Sequence, residues 1–133
     1  MRQFFFSFTG RINRSKFWLY WALYIVTGLI FNRIMELLEV QPGAQQPAAT
    51  GLAEIVLLAL GLAYVIVVTW SYFAVHIKRW HDRNKSGWWV LIGFIPIIGF
   101  IWTMVECGFL KGTEGDNRFG PDPLGPDLTS VFD

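Results

Sequence analysis

Charge is scarce in this chain: only 16% of its 133 residues are Asp, Glu, Lys or Arg, against about 25% in an ordinary soluble domain. Apolar residues fill the deficit, at 53% of the total with 17% aromatic. That balance excludes a simple water-exposed globule, because too little polar surface remains to cover so much apolar material. Net charge is nearly absent as well, at +1, so no global basic field points to nucleic acid. Cysteine occurs once, as Cys107. An intramolecular disulfide is therefore excluded, and two histidines beside one cysteine lack any zinc-finger spacing, so neither a metal nor a cofactor is expected. A Gly-x-Ser-x-Gly elbow and a phosphate-cradling glycine loop are also missing.

What the chain does contain is three long apolar runs, each near the twenty residues that a spanning helix needs. Residues 17–38 are uncharged until Arg33, residues 55–77 carry no charge with His76 neutral, and residues 88–110 carry only Glu106. Ahead of the first run, Phe4, Phe5, Phe6 and Phe8 precede Arg11, Arg14 and Lys16. A secretory signal has the opposite order, so residues 1–16 read as a retained segment lying in the headgroup region. Residues 41–51 are rich in Gly, Pro, Gln and Ala and read as a connection. Residues 111–133 repeat Gly, Pro and Asp, hold too few large apolar residues for a core, and read as a tail that is ordered only by docking. The fold class expected is an all-α membrane protein in one domain, with three transmembrane helices, an interfacial N-terminal segment and a Gly/Pro/Asp-rich tail.

Orientation follows from where the charges fall. The N-terminal segment sums to +4 from Arg2, Arg11, Arg14 and Lys16, and the second connection to +3 from Lys78, Arg79, Arg83 and Lys85 less Asp82. The first connection sums to −2 (Arg33 against Glu36, Glu39 and Glu54), and the tail to −3. Positively charged loops stay inside, which predicts a cytoplasmic N-terminus and second connection, with Trp18, Trp21, Trp88 and Trp89 at the same interface. Under three straight spans the tail lies outside. Pro96-Ile97-Ile98-Gly99 is the weak point of that topology: proline breaks or kinks a helix, and a re-entrant hairpin here would return the tail inside.

The densest chemistry is the stretch from Arg79 to Gly87. Asp82 orienting His81 as a base would suit a membrane-surface enzyme, but adjacent side chains diverge, and a solvated turn is the simpler reading. Between these stands a basic collar of Arg11, Arg14, Lys16, Arg79, Arg83 and Lys85 that contacts anionic lipid headgroups. On that reading the N-terminal segment packs beside the His81 loop, Asp82 pairs one arginine and lipid offsets the remaining repulsion. Glu106, 18 residues after Trp88, falls near the outer interface if the third helix is straight, about 27 Å along it. No Asp, Glu, Lys or Arg falls near the middle of a run, which disfavours coupled ion transport. Ala59 and Ala63 offer a weak close-packing stripe.

Four stretches carry a family resemblance: FTGRINRSKFW at residues 8–18, RWHDRNKSGWW at 79–89, IPIIG at 95–99 and GTEGDNRFGPDP at 112–123. In order and spacing the chain resembles the YhaH-like family of bacterial inner-membrane proteins, domain of unknown function 805. The resemblance implies a bacterial inner-membrane protein with a few spanning helices, and no activity. The chain departs from the usual pattern at Asn84, where the family has Gly, and at Glu114 and Asp116, where Pro is frequent. Asn is the next most tolerant residue of a left-handed turn, so the loop geometry is expected to survive. The function expected is a non-catalytic inner-membrane role through lipid or protein contacts. The alternatives are a subunit of an oligomeric channel or transporter, and an enzyme using His81 and Asp82. Expected partners are anionic membrane lipids and a second copy or another membrane protein, not nucleic acid.

Overall fold

A computed structural model describes residues 2–37 and 51–125. Leu38, Glu39, the connection up to Thr50 and the tail from Pro126 onward lie outside the described residues. The described residues form helices and turns, with one isolated bridge between Asn117 and Gly120.

Helix α1 is short, Arg2–Phe6. Helix α2, Arg14–Leu37, begins where Asn13 caps it: the Asn13 side-chain oxygen accepts the Lys16 amide at 3.0 Å. Helix α3, Gly51–Asp82, ends where Asn84 takes the left-handed conformation, φ +56°, as the glycine-like reading of that position requires. At 24 and 32 residues, α2 and α3 are about 36 and 48 Å long. Both are long and apolar enough to cross a membrane, and only 11% and 6% of the residues in their apolar windows are buried. Leu19, Ile25, Leu29, Ile55, Leu58 and Leu62 are among the side chains they leave exposed. Far from Asp82 the pair is held by a face-to-face stack of Phe31 on Tyr64, centroids 4.1 Å apart.

The buried core sits at the other end, where α2 begins and α3 ends. Ile12, Phe17, Tyr20, Val75, Trp80, Val90 and Cys107 form it, with Phe4 and Phe5 of the N-terminal segment packed against it. That segment lies along α3: Trp70 Nε1 donates to the Phe6 carbonyl at 3.2 Å, and Lys78 Nζ donates to the Phe4 carbonyl.

The third apolar run is not one straight helix. It divides into a 3-10 arm, Gly87–Phe94, and a return arm made of helix α4, Ile98–Thr103, and a π-helical turn, Met104–Phe109. Pro96 opens a three-residue γ-turn between them: the Ile98 amide bonds the Pro96 carbonyl at 2.7 Å, and Ile97 sits at φ +64°, ψ −65°. The arms then pack back to back so closely that a Cβ on Gly99 would lie 1.8 Å from the Ile92 carbonyl oxygen. Both ends of the hairpin consequently meet the end of α3. Glu106 pairs Arg83 and Lys85 at 3.1 and 2.7 Å instead of lying a membrane's thickness from Trp88. The expectation for Glu106 failed because it assumed a straight helix; proline and glycine fold the rod in two.

Position 99 is the sensitive test of this geometry. Gly99→Ala is expected to lower stability in mild detergent by more than about 3 kcal/mol, since the clash is with backbone that cannot repack. Ile97→Gly is expected to be neutral or stabilising, because relief of about 1–3 kcal/mol of strain offsets the extra freedom of glycine. A Gly99→Ala protein that melts with the parent would overturn the close approach of the arms.

Candidate functional site

The end of α3 places Arg79 and Asp82 one turn apart on one face, the i,i+3 spacing that lets their side chains meet. The Asp82 carboxylate accepts Arg79 Nη1 at Oδ2 and Arg11 Nε, from the N-terminal segment, at Oδ1 at 3.1 Å. All three side chains are inside, with Arg11 at 1% and Arg79 at 0% exposure. Against this carboxylate runs the chain leaving the hairpin. A Cβ on Gly112 would come 2.1 Å from Asp82 Oδ2, so only glycine lets the backbone pass.

The remaining donors converge on carbonyls of the same departing chain. Arg79 Nε donates to the Cys107 carbonyl at 2.6 Å and Arg79 Nη2 to Leu110 at 2.5 Å. Trp18 Nε1 donates to Gly108 and Arg14 Nη1 to Phe109, both at 3.0 Å. Arg83 Nη1 donates to Lys111, and Arg11 reaches Thr113 at 2.5 Å and Gly115 at 2.7 Å. The last carbonyls of a helix have no partner within it and carry the negative end of its dipole. Here cations and an indole from three other elements supply those partners.

The tail docks on the same end. The Asp82 carbonyl accepts both the amide and the hydroxyl of Thr113, at 2.7 and 3.0 Å. Asn117 Nδ2 donates to the His81 carbonyl at 2.9 Å, and Phe119 stacks flat on the His81 ring, centroids 4.0 Å apart. Farther along, the amides of Leu124 and Gly115 bond Asp122 and hold its carboxyl below the ordinary range.

The residues singled out from sequence, Arg11, Arg14, Arg79, His81, Asp82, Arg83 and Lys85, thus share one end of the molecule, with Pro96 at the turn of the hairpin. His81 and Asp82 do not form a dyad: His81 Nδ1 faces the Gly10 carbonyl at 3.3 Å while Asp82 faces arginines. Arg11 and Arg79 are turned inward, so neither lines an exposed collar. His76 is wholly buried with Nδ1 bonded to the Tyr72 carbonyl at 2.8 Å, a packed core residue among aromatic rings. Among the described residues, no group of three or more His, Cys, Asp or Glu side chains could hold a metal ion. Sequence reasoning missed Glu106 and Gly112 as members of the cluster; the proline and glycine of residues 96–99 were the signal that would have brought Glu106 back.

Two long apolar helices joined to a doubled-back apolar hairpin, its returning end capped by internal arginines, define a helical protein of membrane type. The chain belongs to the family described as Protein of unknown function (DUF805), which matches residues 5–121. It is 34% identical over 117 residues to "Inner membrane protein YhaH" of Escherichia coli strain K12, covering 88% of this chain and 87% of that one. It is 31% identical over 118 residues to "Inner membrane protein YhaI" of the same strain, covering 88% and 86%. A third relative there, "Uncharacterized protein YiiR", is 28% identical over 148 aligned residues, covering 92% and 89%. No solved structure matches the chain.

The cluster's energetic weight is testable. Removing one partner of a buried ion pair strands the other, so Asp82→Ala is expected to cost about 3–5 kcal/mol. Arg33→Ala breaks a pair whose side chains are 73% and 62% exposed, and is expected to cost less than about 1 kcal/mol. Chemical denaturation in mild detergent compares the two, and equal losses would show that Asp82 is not the linchpin.

Proposed function

We propose that this chain is a bacterial inner-membrane protein with two spanning helices and a re-entrant hairpin, its N-terminus and its tail both cytoplasmic, that works through lipid and protein contacts at that face. The observation that carries the reading is the return of the hairpin, with Glu106 held by Arg83 and Lys85. A third span would put those groups on opposite sides of the bilayer.

The distribution of basic residues supports it. With the hairpin returned, ten of the eleven Lys and Arg residues fall at one end of the molecule and only Arg33 at the other. Orientation responds to Lys and Arg more than to carboxylates, so the acidic tail does not oppose this placement. Re-entrant backbone is tolerated at membrane depth when its polar groups are satisfied internally. The turn meets most of this demand: the Ile95 amide bonds Ile92, the Ile98 amide bonds Pro96 and the Gly99 amide bonds Ile95, at 2.7–3.0 Å, while Pro96 has no amide to satisfy. The outward surfaces of α2 and α3 favour lipid over a water-filled pore. Between their charged ends they are mainly aliphatic and aromatic, and the exposed Thr27 hydroxyl is turned back onto the Leu23 carbonyl at 2.9 Å. The names of YhaH and YhaI support the inner membrane as the location.

Fusions after Asp133 provide the check. A fluorescent protein that matures only in the cytoplasm should be bright there, and alkaline phosphatase, active only outside, should be inactive. Active phosphatase would overturn the two-span reading and restore three spans.

A further inference from the structure

Where α2 begins, the departing end of the hairpin and the tail enclose a cleft of about 210 Å³. Its charged and polar lining comes from Asn13, Arg14, Lys111, Thr113, Glu114 and Asp122, with Asp82 at its base. The geometry points to this cleft as a headgroup site for the phosphodiester of an anionic phospholipid. The assignment rests on the membrane placement proposed above and names one contact point for it.

The carboxylates lining the cleft are committed in unequal degrees. Asp82 is taken by Arg11 and Arg79, and Asp122 by the amides of Gly115 and Leu124. Glu114 is different: it meets Lys111 only at 3.4 Å, with side-chain exposures of 86% and 71%. An exposed ion pair of that kind is weak and exchanges readily for a better partner. Arg14 uses one N–H on the Phe109 carbonyl, leaving most of its five donors for a ligand. The cations of the cleft not held in a buried pair are the Arg14 guanidinium and the Lys111 ammonium, the groups that suit a phosphate; they stand beside the charged Glu114 and Asp122, so an anion is bound by direct hydrogen bonds to these two groups and not by a net positive field.

The surroundings distinguish a lipid from a free phosphate. One helical turn from Arg14 stands Trp18, half exposed, its ring edge-on to the exposed Phe109 at 5.6 Å, with Leu110 beside it. Trp18 also donates its Nε1 to the Gly108 carbonyl, as an indole at a membrane interface keeps one end polar and the other apolar. A cleft with two accessible cations, bordered by exposed aromatic surface, matches an amphiphile, with the headgroup phosphate on Arg14 and Lys111 and the chains along Trp18 and Phe109. Of the collar expected from sequence, only Arg14 belongs to this site, and Lys111, which that expectation did not include, joins it.

The test uses the full chain in phosphatidylcholine nanodiscs containing a minor fraction of phosphatidylglycerol, with retained lipid read by native mass spectrometry. The parent should retain phosphatidylglycerol preferentially. Lys111→Gln and Arg14→Gln should each weaken that preference roughly fivefold. Glu114→Gln, which removes the competing carboxylate, should strengthen it, an effect that misfolding does not produce. Arg33→Gln, at the far end of α2, should change nothing, and inorganic phosphate at matched concentration should not displace the lipid. If Lys111→Gln and Glu114→Gln both leave the preference unchanged, the cleft is wrong while lipid contact elsewhere on the face stands. If inorganic phosphate displaces the lipid, the cleft serves a soluble anion and the lipid assignment falls. If the parent shows no preference at all, both the cleft and the lipid-contact reading fall.

Discussion

A carboxylate held away from water between two guanidinium groups is the constraint around which this molecule closes. Asp82 binds Arg79 from its own helix and Arg11 from the N-terminal segment, and it sits against the backbone of Gly112 with no room for a side chain between. Three parts of the chain remote in sequence are thereby fixed to one point. Desolvating three charged groups is costly, and the cost is recovered only when every remaining donor and acceptor is matched. That condition dictates the rest of the cluster: the arginines must find further acceptors, and the departing backbone of the hairpin provides them.

The same contacts solve a problem that the hairpin creates. A helix that ends inside an apolar or interfacial environment leaves its last carbonyls without partners. Arg79, Arg14, Trp18 and Arg83 reach the carbonyls from Cys107 to Lys111, while Glu106 takes up Arg83 and Lys85. Cations and carbonyls satisfy each other, and Thr113, Asn117 and Phe119 then bring the tail down on α3. Order in a segment with almost no core residues of its own follows from hydrogen bonds to an already rigid helix end.

Basic residues beside apolar helices invite the reading that they face lipid, and for this chain that reading separates into two populations. Arg11 and Arg79 are interior structural groups; Arg14 and Lys111 are exposed at the rim. On the proposed orientation both populations act alike during insertion, because the positive-inside bias acts on the unfolded segments before any pair has formed. Topogenic charge and folded-state charge can therefore be the same residues doing different things at different times.

Much of the architecture was legible in composition and order. The runs containing α2 and α3, the N-terminal phenylalanines and the tail that needs docking follow from apolar length and from Gly, Pro and Asp content, which are local properties. Asn84 in the left-handed turn and the break at Pro96 were readable for the same reason: each depends on the φ and donor inventory of one or two residues. The gathering of Arg11, Arg79 and Asp82 was foreseeable only as one pair of unspecified partners. What tertiary structure alone decided is the direction of the chain after Ile97. That reversal moved Glu106 from one end of the expected helix to the other, made Gly112 indispensable, and turned two arginines from the surface into the core. A break in a helix is written in its residues, whereas the path beyond it is set by which distant groups can satisfy the carbonyls it releases.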